Sequence, residues 1–493
     1  MSEPTVARPP QLFDREAEWS DLVRFVSGPS GAARIGLVYG HRRQGKSFML
    51  ELLAQSTGGF YHQALEEEGA PALEHFATAS AAFAGLPSWA GGRFDDWATA
   101  LRALAEQAAG RPIVIDEFPY LLRKSPELPS LIQAAYDGVW SGRHPAFQLI
   151  VCGSALSVMA RLLTGQQALR GRAMLDMPLR AFDFRESRAF WGIRDHDAAL
   201  LVNAVLGGSP GYRDLLAGTA PTDSAELGDW LADGVLNPSH ALFREAEYLL
   251  SEDPTLVDRA LYRSIIAAIA VGESTRRGVG AVLGRPDTAL DHPLIQLERA
   301  QFILRDADVL RPNRPLLRVA DPLLRFHFAV VRPDLARFEA RRTRDAWVDA
   351  EPRFRSQVLG PHFETLARAW TERYASEQTL GGRPVRVGFA QVNDPEAKQS
   401  FELDVVAEAP GPQVGGRPRL LAIGEAKAGD RPRTSADLAR LVRLRALLAT
   451  RADVGGSRLL LFGRSGFEGE LVATASSRPD VELVDLERLY EGD

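Results

Sequence analysis

Between residues 34 and 180, short uninterrupted apolar runs alternate with longer stretches in which apolar residues recur every three or four positions. That alternation predicts a parallel sheet with crossover helices, since strands buried on both faces need no polar side. The predicted strands are Arg34 to Tyr39, Arg111 to Ile115 and Gln148 to Cys152, and Ser47 to Ala54 has helical spacing. The next stretch is mainly helical and is broken at Gly207-Gly208-Ser209-Pro210-Gly211. Three helices are then predicted at Leu256 to Val271, Thr275 to Leu283 and Asp291 to Arg299. A hairpin follows, with strands near Phe302 to Arg305 and Leu316 to Ala320 and a turn-rich tip at Arg311-Pro312-Asn313-Arg314-Pro315. Helix, helix, helix, hairpin is the order of a winged helix. Beyond a charged stretch, Arg332 to Pro352, the pattern predicts a helix around His362 to Ala375 and a strand near Val385 to Phe389. A hairpin of Phe401 to Glu408 and Arg419 to Ala426 is joined by the loop Pro410 to Pro418. Helix Thr434 to Leu448 and strands Arg458 to Phe462 and Val481 to Val484 complete a small mixed α/β domain.

At 493 residues the chain exceeds the size of one growing core. The expected division is 1–180, 181–255, 256–335 and 336–493. The single cysteine, Cys152, excludes an internal disulfide framework and a cysteine-rich zinc site. Met1 to Pro10 lacks an apolar signal core, and the longest apolar runs, such as Ile265 to Val271, are too short to cross a bilayer. A cytoplasmic protein with no membrane partner is expected. The net charge of −6 confines any nucleic-acid contact to a local basic surface.

Lysine and arginine total 58, yet only Lys46, Lys124, Lys398 and Lys427 are lysines. Lys46 closes Gly40-His41-Arg42-Arg43-Gln44-Gly45-Lys46-Ser47, the G-x(4)-G-K-[ST] phosphate loop. Glycines there let backbone N–H groups turn inward around phosphate oxygens at a helix N-terminus. Lys46 is expected to reach the β and γ phosphates of ATP, and Ser47 to ligate Mg²⁺. Ile113-Val114-Ile115-Asp116-Glu117 is a predicted strand ending in two carboxylates, with Asp116 suited to the Mg²⁺ shell and Glu117 to polarising the attacking water. Ser154, after the third strand, is placed to sense the γ phosphate or to serve as a local turn hydroxyl. Arg170 and Arg172 are candidates for an arginine finger or for surface ion pairs. Pro210 is placed either against the adenine or in a turn.

The glycine loop, Ile115-Asp116-Glu117-Phe118, Gly207 to Tyr212 and the early Phe13-Asp14-Arg15-Glu16 together resemble the archaeal-type ATPase family of the AAA+ and STAND neighbourhood. The resemblance spans nearly the whole chain. It implies a P-loop parallel-sheet ATPase core with a helical lid, a winged-helix domain and a C-terminal nuclease-like domain. It also implies that Phe13 to Glu16 lie beside the adenine and that Pro210 belongs to a G-x-P lid motif. Ser154 stands where many relatives have a sensor asparagine.

In the C-terminal domain, Asp404 sits on one predicted strand and Glu425 and Lys427 sit two apart on its neighbour. Period-two geometry gathers the three on one face, with Asp404 and Glu425 able to hold Mg²⁺ or Mn²⁺ and Lys427 beside a scissile phosphate. Glu364, on the preceding helix, is a further ligand or an orienting group. Phe363-Glu364, Glu402-Leu403-Asp404 and Glu425-Ala426-Lys427 resemble, in chain order, the PD-(D/E)-x-K nuclease superfamily. That likeness implies a mixed α/β restriction-endonuclease-like fold, either cutting phosphodiesters or kept for docking with the acids in cross-strand ion pairs.

Residues 256 to 333 carry twelve arginines against eight acids, a net of +4 on a negative chain. DNA is therefore an expected partner, with Arg311 and Arg314 on phosphates and His292, Gln296 and Arg299 toward a groove. Three functions follow, of which a pure ATP-driven remodeller that acts on protein is one; the other two act through the C-terminal domain. One is an ATPase whose nucleotide state controls DNA binding and phosphodiester cleavage. The other is a non-cutting, STAND-like switch in which ATP drives assembly into a homo-oligomer.

Overall fold

A computed structural model describes residues 6–28, 31–86, 93–394, 398–411 and 416–493. The first five residues and part of the Pro410 to Pro418 loop, both considered above, lie outside these ranges. The chain divides into two compact units. One comprises residues 1–181, 209–211 and 249–257, and the other holds 182–208, 212–248 and 258–493.

The first unit is built on a five-stranded parallel sheet in the order β2-β3-β4-β1-β5. Its strands are β1 (Arg34–Tyr39), β2 (Phe60–Gln63), β3 (Pro112–Asp116), β4 (Gln148–Gly153) and β5 (Ala173–Pro178). Every residue of β1, β3 and β4 is buried, which is why these strands read as unbroken apolar runs. The predicted runs lack β2 and β5. Those are the edge strands of the sheet, and their mixed burial leaves no such run. Apolar clusters cover both faces: Ile35, Leu37, Ile113 and Val151 point to one, Val38, Val114, Ile150 and Cys152 to the other.

The second unit carries a seven-stranded mixed sheet in the order β12-β11-β10-β9-β8-β6-β7. The hairpin is β6 (Ile303–Asp308) and β7 (Arg311–Val319), preceded by helices Arg259–Ala270, Arg276–Leu283 and Asp291–Arg299. Arg311 to Arg314, predicted as the hairpin tip, belong to β7, and the turn falls at Val309 and Leu310. There Asp308 accepts the N–H groups of Leu310 and Arg311.

The other strands are β8 (Arg386–Asp394), β9 (Gln399–Glu408), β10 (Leu420–Lys427), β11 (Arg458–Gly463) and β12 (Val481–Val484). β6 pairs parallel with β8, and the Val309 N–H donates to the Phe389 carbonyl at 2.9 Å, so one sheet runs across the 335/336 boundary expected from sequence. The helix His196–Leu206, from the stretch read as a lid, also belongs to this unit. Its Asn203 meets buried His362 at 2.8 Å, and its Asp197 pairs with Arg464.

Two helices sandwich the C-terminal strands. Gly360–Arg373 buries Phe363, Leu366 and Trp370, with Trp370 packed edge-on against Phe462 of β11. Ser435–Leu448 buries Leu438, Leu441, Leu444 and Leu448 against Leu403, Val406 and Ile423. Among the described residues no helix is long and apolar enough to cross a membrane.

Candidate functional sites

The glycine loop joins β1 to the helix Lys46–Thr57, and Gly45 caps that helix at φ +87°, a conformation glycine adopts without strain. Gly40 is needed for a different reason. A Cβ there would lie 2.3 Å from the Leu179 carbonyl oxygen and 2.4 Å from Gln44 Oε1. The loop is clamped from outside its own sequence. Arg15, buried and at φ +66°, donates to the carbonyls of Arg180 (2.6 Å) and Gln44 (3.5 Å). The Gly211 N–H donates to the Arg43 carbonyl at 3.0 Å, and a Cβ on Gly45 would touch Pro210 at 3.7 Å. The Ser209-Pro210-Gly211 turn thus packs directly on the loop, and Arg15 supports it from the other motif singled out in the sequence.

Lys46 is buried, and its Nζ donates to the His41 carbonyl at 2.9 Å within its own loop. Among the described residues no carboxylate lies within ion-pair distance of it. The ammonium is held but not neutralised, as a phosphate ligand requires. On β3, two positions from β1 across β4, Asp116 is fully buried. Its Oδ1 accepts the Glu117 N–H at 2.8 Å and its Oδ2 accepts the Tyr61 hydroxyl at 2.8 Å. The Ser47 hydroxyl also lies near the Tyr61 phenol, which places it in the neighbourhood of Asp116. Hydroxyl and carboxylate oxygens are the hard donors that Mg²⁺ takes, so this pair fits that ion.

Glu117 follows the strand at φ +51°, a strained backbone for a non-glycine residue and a feature of functional positions. Burial raises its carboxyl above the usual range, reinforced by Asp116 and opposed by Lys46 and Ser154. The Ser154 hydroxyl donates to Glu117 Oε2 at 3.3 Å. Arg172, in contrast, forms a bidentate pair with Asp137 at 2.9–3.0 Å, and Arg170 donates to the Gly165 carbonyl. Both arginines are in ion-pair or loop roles here.

The C-terminal candidates separate. Asp404, Glu425 and Lys427 do not form the expected cluster, and a β-bulge is the reason. The β8–β9 register passes from Gly388 opposite Val406 to Ala390 opposite Leu403, so Asp404 and Val405 together oppose Phe389. Leu403 and Val406 consequently share one face with Ile423, and Asp404 turns to the other. Glu425 and Lys427 stay on the Ile423 side. Glu425 bonds Arg433 (3.3 Å) and ion-pairs with Arg440 (3.1 Å), and Lys427 pairs with Asp437. Arg433 is itself 1% exposed and also ion-pairs with Asp437 at 3.2 Å.

Asp404 instead meets Glu364, from the opposite helix, and Glu402, two residues earlier on β9; one oxygen from each lies within 4.8 Å of the others. Burial, then repulsion from Glu364, pushes the Asp404 carboxyl up to about 7, against a 2.8 Å hydrogen bond from the Ala426 N–H. Burial likewise raises Glu364. The positive charge here comes from Arg318 of β7, which bonds Asp306 and Glu402 at 2.8 Å and approaches Glu364 at 3.6 Å. Arg368 donates to the Asp404 carbonyl at 2.9 Å. The chemistry-bearing residues that the sequence reading passed over are Tyr61, Arg318, Arg368 and Arg433. Glu402 stood inside a quoted motif without a role. Arg318 reads in sequence as part of a basic surface; with Asp306 and Glu402 it is a partly buried, ion-paired cation.

No family model matches the chain. An uncharacterized protein of Methanocaldococcus jannaschii is 23% identical over 335 residues, 66% of this chain and 70% of that protein. Among solved structures, the ORC2 protein of Aeropyrum pernix in its ADPNP-ADP complexes is 14% identical, covering 69% of this chain and 99% of that one, with a TM-score of 0.42. A Walker-type ATPase of Pyrococcus abyssi is 19% identical, covering 66% of this chain and 99% of that one, with a TM-score of 0.52. That last likeness is one of fold, and it agrees with the parallel sheet and glycine loop described above: the chain has a P-loop ATPase-type α/β fold, joined to a second mixed sheet.

Proposed function

We propose that the chain binds Mg-ATP in its first unit and hydrolyses it slowly, as a switch for DNA contact by the second. The observation that carries this reading is the convergence of Lys46, Ser47, Asp116 and Glu117 at the carboxyl ends of β1 and β3, with Lys46 free of any acid partner among the described residues. In this mechanism the loop N–H groups from His41 to Gly45 and the Lys46 ammonium hold the β and γ phosphates. Ser47 and Asp116 would hold the Mg²⁺, which supplies neutralising charge on the phosphate oxygens. Glu117, its carboxyl raised by burial, takes the proton of the attacking water, and Ser154 restrains its carboxylate. Arg15 and the Pro210 turn keep the loop shaped for phosphate.

The test is fluorescent-ATP binding and phosphate release for wild type, Lys46→Ala and Glu117→Gln. Lys46→Ala should lose binding; Glu117→Gln should bind without turnover. Wild type that binds no nucleotide in the presence of Mg²⁺ would sink the reading.

For the second unit, the net +4 of residues 256 to 333 and the exposed Arg314 on β7 support a DNA partner. Docking is favoured over cutting, because Glu425 and Lys427 are each tied in ion pairs. The proximity of Glu364, Glu402 and Asp404 favours the nuclease reading. Mg²⁺- or Mn²⁺-dependent DNA cleavage that disappears in Asp404→Asn would establish it.

A further inference from the structure

Tyr61 has no part in the mechanism above, yet it bonds one ion-binding candidate, Asp116, and lies near the other, Ser47. Ser47 follows β1 and Asp116 ends β3, with β4 between those strands. Tyr61 reaches in from edge strand β2, where it lies opposite Val114 of β3. Its hydroxyl donates to Asp116 Oδ2 at 2.8 Å, and the Ser47 hydroxyl lies near it. With the Glu117 N–H on Oδ1, each Asp116 oxygen carries one hydrogen bond and keeps lone pairs for a further partner.

We propose that Tyr61 is a positioning residue for the nucleotide-bound divalent ion, orienting the Asp116 carboxylate through its 2.8 Å hydrogen bond beside the Ser47 hydroxyl. This rests on the Mg-ATP reading of the site. Groups of this kind orient metal ligands and fix which lone pairs face the ion, and losing one typically weakens metal affinity roughly ten- to a hundred-fold. Tyr61 contacts neither the glycine loop's backbone nor Lys46 among the bonds described, so the phosphate cradle does not depend on its hydroxyl.

Tyr61→Phe keeps the ring and removes only the hydroxyl. A fluorescent ATP analogue is titrated onto wild type and variant, first in EDTA and then at fixed nucleotide with rising Mg²⁺. The expected result is unchanged metal-free affinity and an Mg²⁺ half-saturation raised roughly ten- to a hundred-fold. Repeating the titration with Mn²⁺, followed by its electron-spin signal, should show the same shift without reference to turnover. An unaltered Mg²⁺ dependence in a variant that binds nucleotide normally overturns the role of Tyr61 and leaves the ATP reading standing. Equal loss with and without metal also overturns it, by assigning Tyr61 to packing of the cradle. Failure of wild type to bind nucleotide in either condition removes the ATP reading, and this inference with it.

Discussion

The two candidate sites of this chain use similar residues under opposite constraints. In the glycine loop, Lys46 is buried beside its own backbone and meets no carboxylate within ion-pair distance among the described residues, whereas Glu402, Glu425 and Lys427 of the C-terminal sheet each sit in an ion pair. Both sites bury acids at strand ends. Among the described residues only the first leaves its lysine outside any ion pair, and a buried ammonium so placed is well suited to an anionic ligand. The second resembles a polar hub, with Arg318 and Arg368 set among Asp306, Glu364, Glu402 and Asp404. Charge pairing separates a site arranged for a ligand from a cluster already satisfied.

The strongest challenge to this contrast is Glu117→Gln, which should lower kcat about 10²- to 10⁴-fold while nucleotide binding persists. Unchanged phosphate release would put Glu117 on the structural side with its C-terminal counterparts. Next comes Glu425→Ala, which leaves buried Arg433 with Asp437 as its remaining carboxylate partner. Urea denaturation should show a loss of about 1–3 kcal/mol, with Lys427→Ala, half-exposed on its ion pair, losing less than about 1 kcal/mol. Near-equal small losses would mean that Glu425 is held for chemistry, not for the fold.

Asp404 sharpens the comparison through pH. Its carboxyl titrates near 7 when folded and near 4 when unfolded, so the native state binds the extra proton between those values. That contribution is fully present below about pH 4 and is lost as pH rises through about 7. Relative to Asp404→Asn, wild type should therefore lose on the order of 2–4 kcal/mol of stability between about pH 4 and about pH 8. A flat difference would mean that Arg318 and Arg368 already hold Asp404 ionised. The smallest expected effect is Arg314→Ala, which should reduce the salt slope of DNA binding by about 1 with little change in sequence preference. No change in slope would take Arg314 off the phosphate contact.

The sequence by itself determined what depends on near neighbours. A phosphate loop is one contiguous turn, so its spacing already specifies Gly45 at a left-handed φ and Lys46 at the first helical position. Buried parallel strands such as β1 and β4 declare themselves because both faces are apolar. The helices Asp291–Arg299 and Ser435–Leu448 are legible from their periodicity, the latter also from the Thr434–Asp437 capping box. Residues joined through space were decided by the tertiary structure alone. Tyr61 sits on a four-residue edge strand with no apolar run, and only sheet order brings it to Asp116. Arg318 reads as a basic wing residue until β6 pairs with β8 and delivers it to Glu402. One extra residue in β9 turned Asp404 away from Glu425 and Lys427, because a strand's side-chain period of two reverses at every single-residue insertion and such a bulge is set by its partner strand.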